Sequence, residues 1–291
     1  MKIEIVFGLP IVLYFFLAGT AAGSFIISAI LLLTKDRDKY RKLSLLGMIL
    51  AFICLFVGCI SLVFDLGHPL RFWRLMYLPG INLVSAIAWG SFFIPLFFLM
   101  CLIEIYLLIK QKPIPNILHY FGILVSFGLG SYTGFLISVC KAFPLWHSAI
   151  MAPLFFVSGC MSGIGTILLF SNTLKIFSPL DTVSIWLRKT LLFLVLIDLF
   201  LLTDYYILYM GYSEAKEVAI MILAGQFAVP FWLGEILLGV ISPIIILISP
   251  LKDTKKGQIA ASILAIIGVF IMRYIIVIGG QVFPSPWKPF G

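Results

Sequence analysis

Charge is what this sequence has least of. Asp, Glu, Lys and Arg together make up 11% of its 291 residues. A soluble domain carries about 25%, so a soluble fold of this size would leave large apolar patches uncovered. An ordinary cytosolic enzyme, a nucleic-acid-binding domain and a disordered chain are excluded together. Histidine is nearly absent too: His68, His119 and His147 are the only three, and each falls near the end of an apolar run. A membrane haem needs axial histidines facing each other within the bilayer, so no haem is expected. The five cysteines form no C-x-x-C pair and mostly lie inside apolar runs. They read as small buried hydrophobes, not as iron–sulfur or zinc ligands. Any electrons that pass through the protein must be brought or removed by another subunit.

What the chain has is hydrophobic residues, 62% of the total. About 20 apolar residues cross a bilayer as a helix. Eight stretches qualify: 8–33, 44–66, 84–109, 116–140, 148–170, 189–210, 224–249 and 257–281. The first is too long for the core of a signal peptide and is expected to remain as a span. The expected fold is an all-α integral membrane protein of eight transmembrane helices, with the bilayer as its main surroundings. The net charge of +8 then becomes a topology signal. Numbering the loops alternately puts 13 cations on one side, 6 on the side that holds both termini, and Arg273 inside a span. The positive-inside rule makes the first side cytoplasmic, so both termini are expected outside the inner (cytoplasmic) membrane. Nucleic acid drops out as a partner.

An internal repeat is also visible. Residues 15–24 read FFLAGTAAGS and residues 155–164 read FFVSGCMSGI, a displacement of 140. The same shift carries spans 2, 3 and 4 onto spans 6, 7 and 8, and brings Asp65 within one residue of Asp204. Both copies start on the outside, so the expectation is two parallel-repeat four-helix bundles, residues 1–140 and 141–291. Glycines four apart, as in Gly19/Gly23 and Gly159/Gly163, also let helix backbones approach closely in lipid.

Ionisable residues inside a membrane are costly and are functional candidates by default. Asp198 in span 6, Glu235 in span 7 and Arg273 in span 8 fall at similar depths, with Asp204 nearer the outside. They are expected to form either a proton relay or a structural ion pair of Arg273 with the carboxylates. Glu104, near the cytoplasmic end of span 3, is expected to reach interfacial water. A second dense segment, DLGHPLRFWRLM at 65–76, marks the outer exit of span 2. Asp65 ends the helix, Pro69 stops its continuation, and Phe72 and Trp73 suit the interface beside Arg71 and Arg74. Tyr132, about two turns inside the outer end of span 4, is placed to donate a hydrogen bond to a carbonyl in a lipid-accessible pocket.

These motifs together resemble the polysulfide reductase membrane subunits, the NrfD/PsrC-like quinone-interacting family. The pieces are YFFLAGTAAGSF in span 1, DLGHPLRFW followed by Ser85 and Trp89-Gly90, YTGFLIS at 132–138, PLW at 144–146 before FFVSGCMSG, and MRYIIVIGGQ at 272–281. They cover nearly the whole chain in the family's order. The resemblance implies an integral membrane subunit that exchanges electrons and protons between the quinone pool (menaquinone or ubiquinone) and a peripheral iron–sulfur, ferredoxin-like subunit. A molybdopterin catalytic subunit on the outer face would hold the chemistry of the terminal substrate.

By resemblance, Tyr132 lies near the quinone, Asp65 and Arg71 belong to the span-2 exit motif, and Arg273 and Gln281 to the last-helix motif. Some members carry a histidine in span 1 near the quinone. This chain has none, and Thr20 and Ser24 are its nearest polar substitutes. Asp65 and His68 are the expected proton acceptors, since a carboxylate or imidazole in a partly dry site can be tuned toward neutrality. Arg71, Trp73 and Arg74, with the outer segments 67–83, 141–147 and 211–223, would dock the partner. Segment 211–223 reads as an interfacial helix. Two rival readings are a proton- or ion-coupled transporter, which the repeat and the buried charges suggest, and a passive membrane anchor.

Overall fold

The computed structural model describes residues 7–65, 86–140, 143–176, 178, 181–211 and 213–282. Among them regular structure is helical throughout, and eight segments are long and apolar enough to cross a membrane. The chain is a multi-pass membrane protein. Spans 1 to 5 are single helices: α1 (Leu9–Leu33), α2 (Arg37–Asp65), α3 (Ala86–Ile109), α4 (Asn116–Ser138) and α5 (Met151–Thr173). Span 6 is α6 (Thr182–Leu201) continued by the short α7 (Asp204–Tyr209), and α8 (Ser213–Leu223) follows it. Span 7 joins a π-helix, α9 (Pro230–Ile241), to α10 (Ser242–Ile248). Span 8 is α11 (Lys255–Tyr274), extended through a π-turn at Ile275–Gly279.

Span 2 starts seven residues earlier than the apolar run, and span 6 starts seven residues earlier as well. Both gain polar first turns, so Arg41, Arg188 and Lys189 lie on helices rather than in loops. Arg41 donates to the carbonyls of Leu107 and Leu108 at 3.0–3.2 Å, a second donor to each beside the backbone N–H groups of Lys112 and Gln111. Arg188 donates to Asp253 at 2.8 Å and to the Lys252 carbonyl. The basic side chains on the side of the bundle that holds Arg41 and Arg188 therefore close helix ends. α3 and α5 both end on that side in a left-handed residue, Gln111 at φ 53° and Lys175 at φ 56°. At each, the next residue's N–H reaches back to the third-last helical carbonyl, Lys112 to Leu107 at 3.0 Å and Ile176 to Ser171 at 2.9 Å. This is the Schellman closure, usually made with glycine.

Spans 1 and 5 lie at the centre. Each is 78% buried, against 28–56% for the other six. α1 packs on α2, α4 and α5, while α5 packs on α1, α4, α6 and α11. The matched motifs of the repeat meet here. An added Cβ on Gly159 would sit 2.9 Å from the Gly19 carbonyl oxygen. One on Gly163 would overlap Ser24 N and the Gly23 carbonyl carbon. The two backbones touch because no side chain stands between them. Hydroxyls seal the crossing: Thr20 and Ser162 share a 2.9 Å hydrogen bond, and Ser24 donates to the Gly163 carbonyl at 3.4 Å.

Glu104 corrects an expectation. It does not reach interfacial water but is fully buried, with Oε2 3.0 Å from His119 Nδ1. The last turns of α3 and the first of α4 enclose the pair. A cleft of about 210 Å³ at this end of the bundle has His119 in its lining, with Arg37, Arg41 and Lys112. Removing the carboxylate would strand a buried imidazole N–H, at a cost of about 1–3 kcal/mol. Glu104→Ala should lower the thermal midpoint of the purified protein clearly. Glu104→Gln, whose amide oxygen still accepts, should lower it much less. Equal losses would show that the hydrogen bond carries none of the effect.

Candidate functional site

Tyr132 is set near the C-terminal end of α4, and its phenol points inward against span 3. A Cβ on Gly90 would lie 2.6 Å from Tyr132 Cζ, so glycine there makes room for the ring. The side chain is 8% exposed. Tyr14 of α1 is its polar neighbour, with Cys59 of α2 close to both, and the buried Tyr14 hydroxyl has no hydrogen-bond partner among the described residues. The four helices of the first half therefore converge on one place. Tyr14 lies five residues inside its helix and Tyr132 six, or about 8 Å and 9 Å at 1.5 Å per residue. The depths match, which sets the two phenols at one level of the bundle. Beside them Trp89 stacks on Phe93 with centroids 5.9 Å apart and stays 41% exposed, forming an aromatic wall open to the lipid side.

Thr20 and Ser24 are not brought to this place. They are one turn apart on the face of α1 that meets α5, and their hydroxyls bond Ser162 and the Gly163 carbonyl. Tyr14 sits on another face of the same helix. Sequence reasoning missed Tyr14, although a hydroxyl at matching depth in an apolar run was a usable signal. Gly130 and Gly134, the neighbours of Tyr132, serve packing on Ala22, Phe156 and the start of α5. Asp65 is the last residue of α2. His68, Arg71, Trp73 and Arg74 lie outside the described residues.

The last-helix motif acts as structure at the C-terminal end of span 8. Trp146 is 1% exposed and donates its indole N–H to the Ile276 carbonyl at 2.7 Å, inside the π-turn where helical pairing is disturbed. Phe7 stacks on the indole at 5.5 Å. Gln281 holds the Phe7 backbone from both sides, accepting from its N–H at 2.8 Å and donating to its carbonyl at 3.0 Å. The PLW and GGQ motifs thus tie the first described residues to span 8.

In the second half, Arg273 does not pair with a carboxylate. No acidic oxygen among the described residues lies within 4.0 Å of it. Its Nη2 donates to the Phe155 carbonyl at 2.7 Å and to Ser158 Oγ at 2.9 Å, and the guanidinium carbon is 3.5 Å from the Phe155 ring centroid. The reason is geometric: α11 presents this residue to α5, while the acids come from spans 6 and 7. Asp198 and Glu235 are buried, and Asp204 accepts from Ser148 Oγ at 3.0 Å just before the start of span 5. No cluster of three or more His, Cys, Asp or Glu that could hold a metal ion occurs among the described residues.

Comparison with known proteins gives a consistent picture. The family described as polysulphide reductase, NrfD matches residues 1–285. The sequence is 26% identical to the C subunit of the polysulfide reductase of Wolinella succinogenes, over 94% of both proteins. It is 25% identical to protein NrfD of Escherichia coli, over 96% of both proteins. It is 28% identical to the Hdr-like menaquinol oxidoreductase integral membrane subunit of Archaeoglobus fulgidus, over 93% of this protein and 70% of that one.

Proposed function

We propose a function from one premise: the chain belongs to the polysulphide reductase NrfD family. Two of the relatives above carry the names of oxidoreductase subunits. The reading is a membrane subunit that passes electrons and protons between a quinol and an iron–sulfur centre on a peripheral partner. The substrate class draws support from the name of the archaeal relative, a menaquinol oxidoreductase subunit. The observation that carries the reading is the buried Tyr14–Tyr132 pair at the outer ends of four converging helices, beside the exposed Trp89.

A quinone headgroup is flat and apolar, with carbonyl oxygens that accept hydrogen bonds. Aromatic walls and one or two inward phenols suit it. The Tyr132 hydroxyl would donate to one carbonyl, with Tyr14 fixing its direction. Oxidising a quinol releases two electrons and two protons. Asp65, at the end of α2, and His68 beyond it would accept protons toward the outer face. The electrons leave to the partner's iron–sulfur centre, which docks on the outer segments that carry Arg71, Trp73 and Arg74. A molybdopterin subunit beyond it would hold the terminal substrate chemistry. The uneven distribution of cations between the two sides supports termini on the outside of the cytoplasmic membrane. The first half, residues 1–140, is then the quinone half, and residues 141–291 form a second bundle with a separate role.

Tyr132→Phe in the assembled complex tests the reading. Losing one hydrogen bond to substrate, worth about 1–1.5 kcal/mol, should cut quinol-dependent turnover roughly tenfold. Co-purification of the partner should be unchanged. Tyr14→Phe should give a smaller loss of the same kind. Full turnover in the Tyr132 variant would remove the phenol from the reaction, and no quinol binding in a titration would leave the anchor role alone.

A further inference from the structure

The second half contains a group of buried polar atoms without hydrogen-bond partners. They are Asp198 Oδ1, both Glu235 carboxylate oxygens, the Tyr205 hydroxyl, and Arg273 Nε and Nη1. None of the four residues is more than 3% exposed. Asp198 and Tyr205 flank the break in span 6, Glu235 lies in the π-helix of span 7, and Arg273 comes from α11. They form one electrostatic unit. Asp198 interacts with Arg273, Glu235 with Asp198, and Tyr205 with Glu235, Asp204 and Asp198. The Tyr205 and Phe231 rings, 5.3 Å apart and edge to face, fix the phenol one turn before Glu235.

Charge decides what this unit binds. Two ionised carboxylates and one guanidinium sum to −1. A net charge without water around it is too costly to keep, and a guanidinium does not give up its proton. One added proton makes the unit neutral. We propose that Asp198, Glu235 and Tyr205 form a binding site for a single exchangeable proton, with Arg273 as its fixed counter-charge. Asp198 stays ionised because it is the acid that interacts with Arg273. Glu235 holds the proton. The π-helix, a form that recurs at functional sites, leaves local backbone irregularity where this side chain sits.

The titratable groups that face Glu235 are Asp198 and Tyr205 of span 6; Arg273 of span 8 acts on Asp198, and Asp204 acts on Tyr205. α1 and α5 bring only Gly19, Phe155 and Ser158 against the guanidinium. Tyr205 interacts with both Asp204 and Glu235 and so connects them. Its hydroxyl can accept a proton from one side while giving one to the other. A proton from water at the outer end would pass by Asp204 and Tyr205 to Glu235, and return the same way. The step consumes nothing and needs no electron, so it stands whether or not a quinone binds in the first half.

Infrared spectroscopy of the full chain in lipid nanodiscs tests this through the protonated-carboxyl C=O band. Every spectrum is also taken in a Glu104→Gln background, which removes the other fully buried carboxyl of α3. At neutral pH the chain should show a band worth one carboxyl that shifts in D2O. Glu235→Gln and Asp198→Asn should each abolish it, because the remaining carboxylate then balances Arg273. Arg273→Met should double it. Both acid variants are nearly isosteric, and a retained thermal midpoint shows that they fold. The proposal fails if the band is missing from the unmodified chain, or if it survives in both acid variants. It also fails if sodium ions at neutral pH remove the band, which would make this a metal-cation site.

Discussion

Gly163→Leu is expected to abolish folding into the native bundle. The position lies at the crossing of the two most buried helices, where even one added carbon would overlap the backbone of Gly23 and Ser24. Overfilling a packed core costs about 1–3 kcal/mol where side chains can shift aside. Here the obstacle is backbone, so α1 and α5 must separate. Separation also removes the Thr20–Ser162 and Ser24–Gly163 hydrogen bonds and unseats α4 and α11, which pack on the same pair. The loss should appear as absence of a monodisperse species after detergent extraction. Gly279→Ala is the control. Its nearest neighbours to an added Cβ are Phe227 ring atoms at 3.6–3.7 Å, ordinary contact distances. It should extract as the unmodified chain does. A well-folded Gly163→Leu protein would mean that the crossing can open.

Arg273→Met should destabilise the protein by roughly 3 kcal/mol, the scale of removing one member of a buried charged set. The side chain is fully buried and serves three functions. It satisfies the Phe155 carbonyl and Ser158, covers the Phe155 ring, and supplies the positive charge for Asp198. Methionine keeps the volume but none of these. Lysine should not rescue it, because a point charge cannot stack on the ring and hold both oxygens in one plane. The charge component is separable. If the Asp198 carboxylate loses its counter-charge, adding Asp198→Asn should recover part of the loss, and thermal midpoints of the single and double variants measure the coupling. Strict additivity would show that Arg273 acts through packing and its α5 contacts alone.

Much of this protein was legible in its sequence because the bilayer leaves few choices. Backbone polar groups in lipid must be satisfied within the segment, so a long apolar run is a helix. The eight runs became eight candidate spans, with ends displaced where charged turns such as Arg37–Lys42 continued a helix into the interface. The glycines in the matched motifs of spans 1 and 5 were legible as close-packing positions. That they pack against each other was not. Tyr132 stood out as a phenol in a glycine-flanked run, whereas Tyr14 did not, because its relevance depends on which face of α1 meets α4. For the same reason Thr20 and Ser24 read as replacements for a missing histidine but turned out to bond α5. Glu104 read as interfacial because it is near a helix end. Its partner His119 lies across a turn whose geometry the linear order does not give.

The sequence by itself determined the class of the molecule, its number of candidate spans, its family and its short roster of charged residues within apolar runs. Those follow from solvent chemistry and residue type, which need no partner to be read. Only the tertiary structure decided the pairings: α1 against α5, Tyr14 with Tyr132, Glu104 with His119, and Arg273 onto Phe155 instead of a carboxylate. Pairing depends on the rotation of each helix about its axis. One residue changes that rotation by about 100°, so it is set by packing of the whole bundle and by no local signal. The scarcity of charge was visible at once; that Arg273 stays out of ion-pair contact with Asp198 and Glu235 was not.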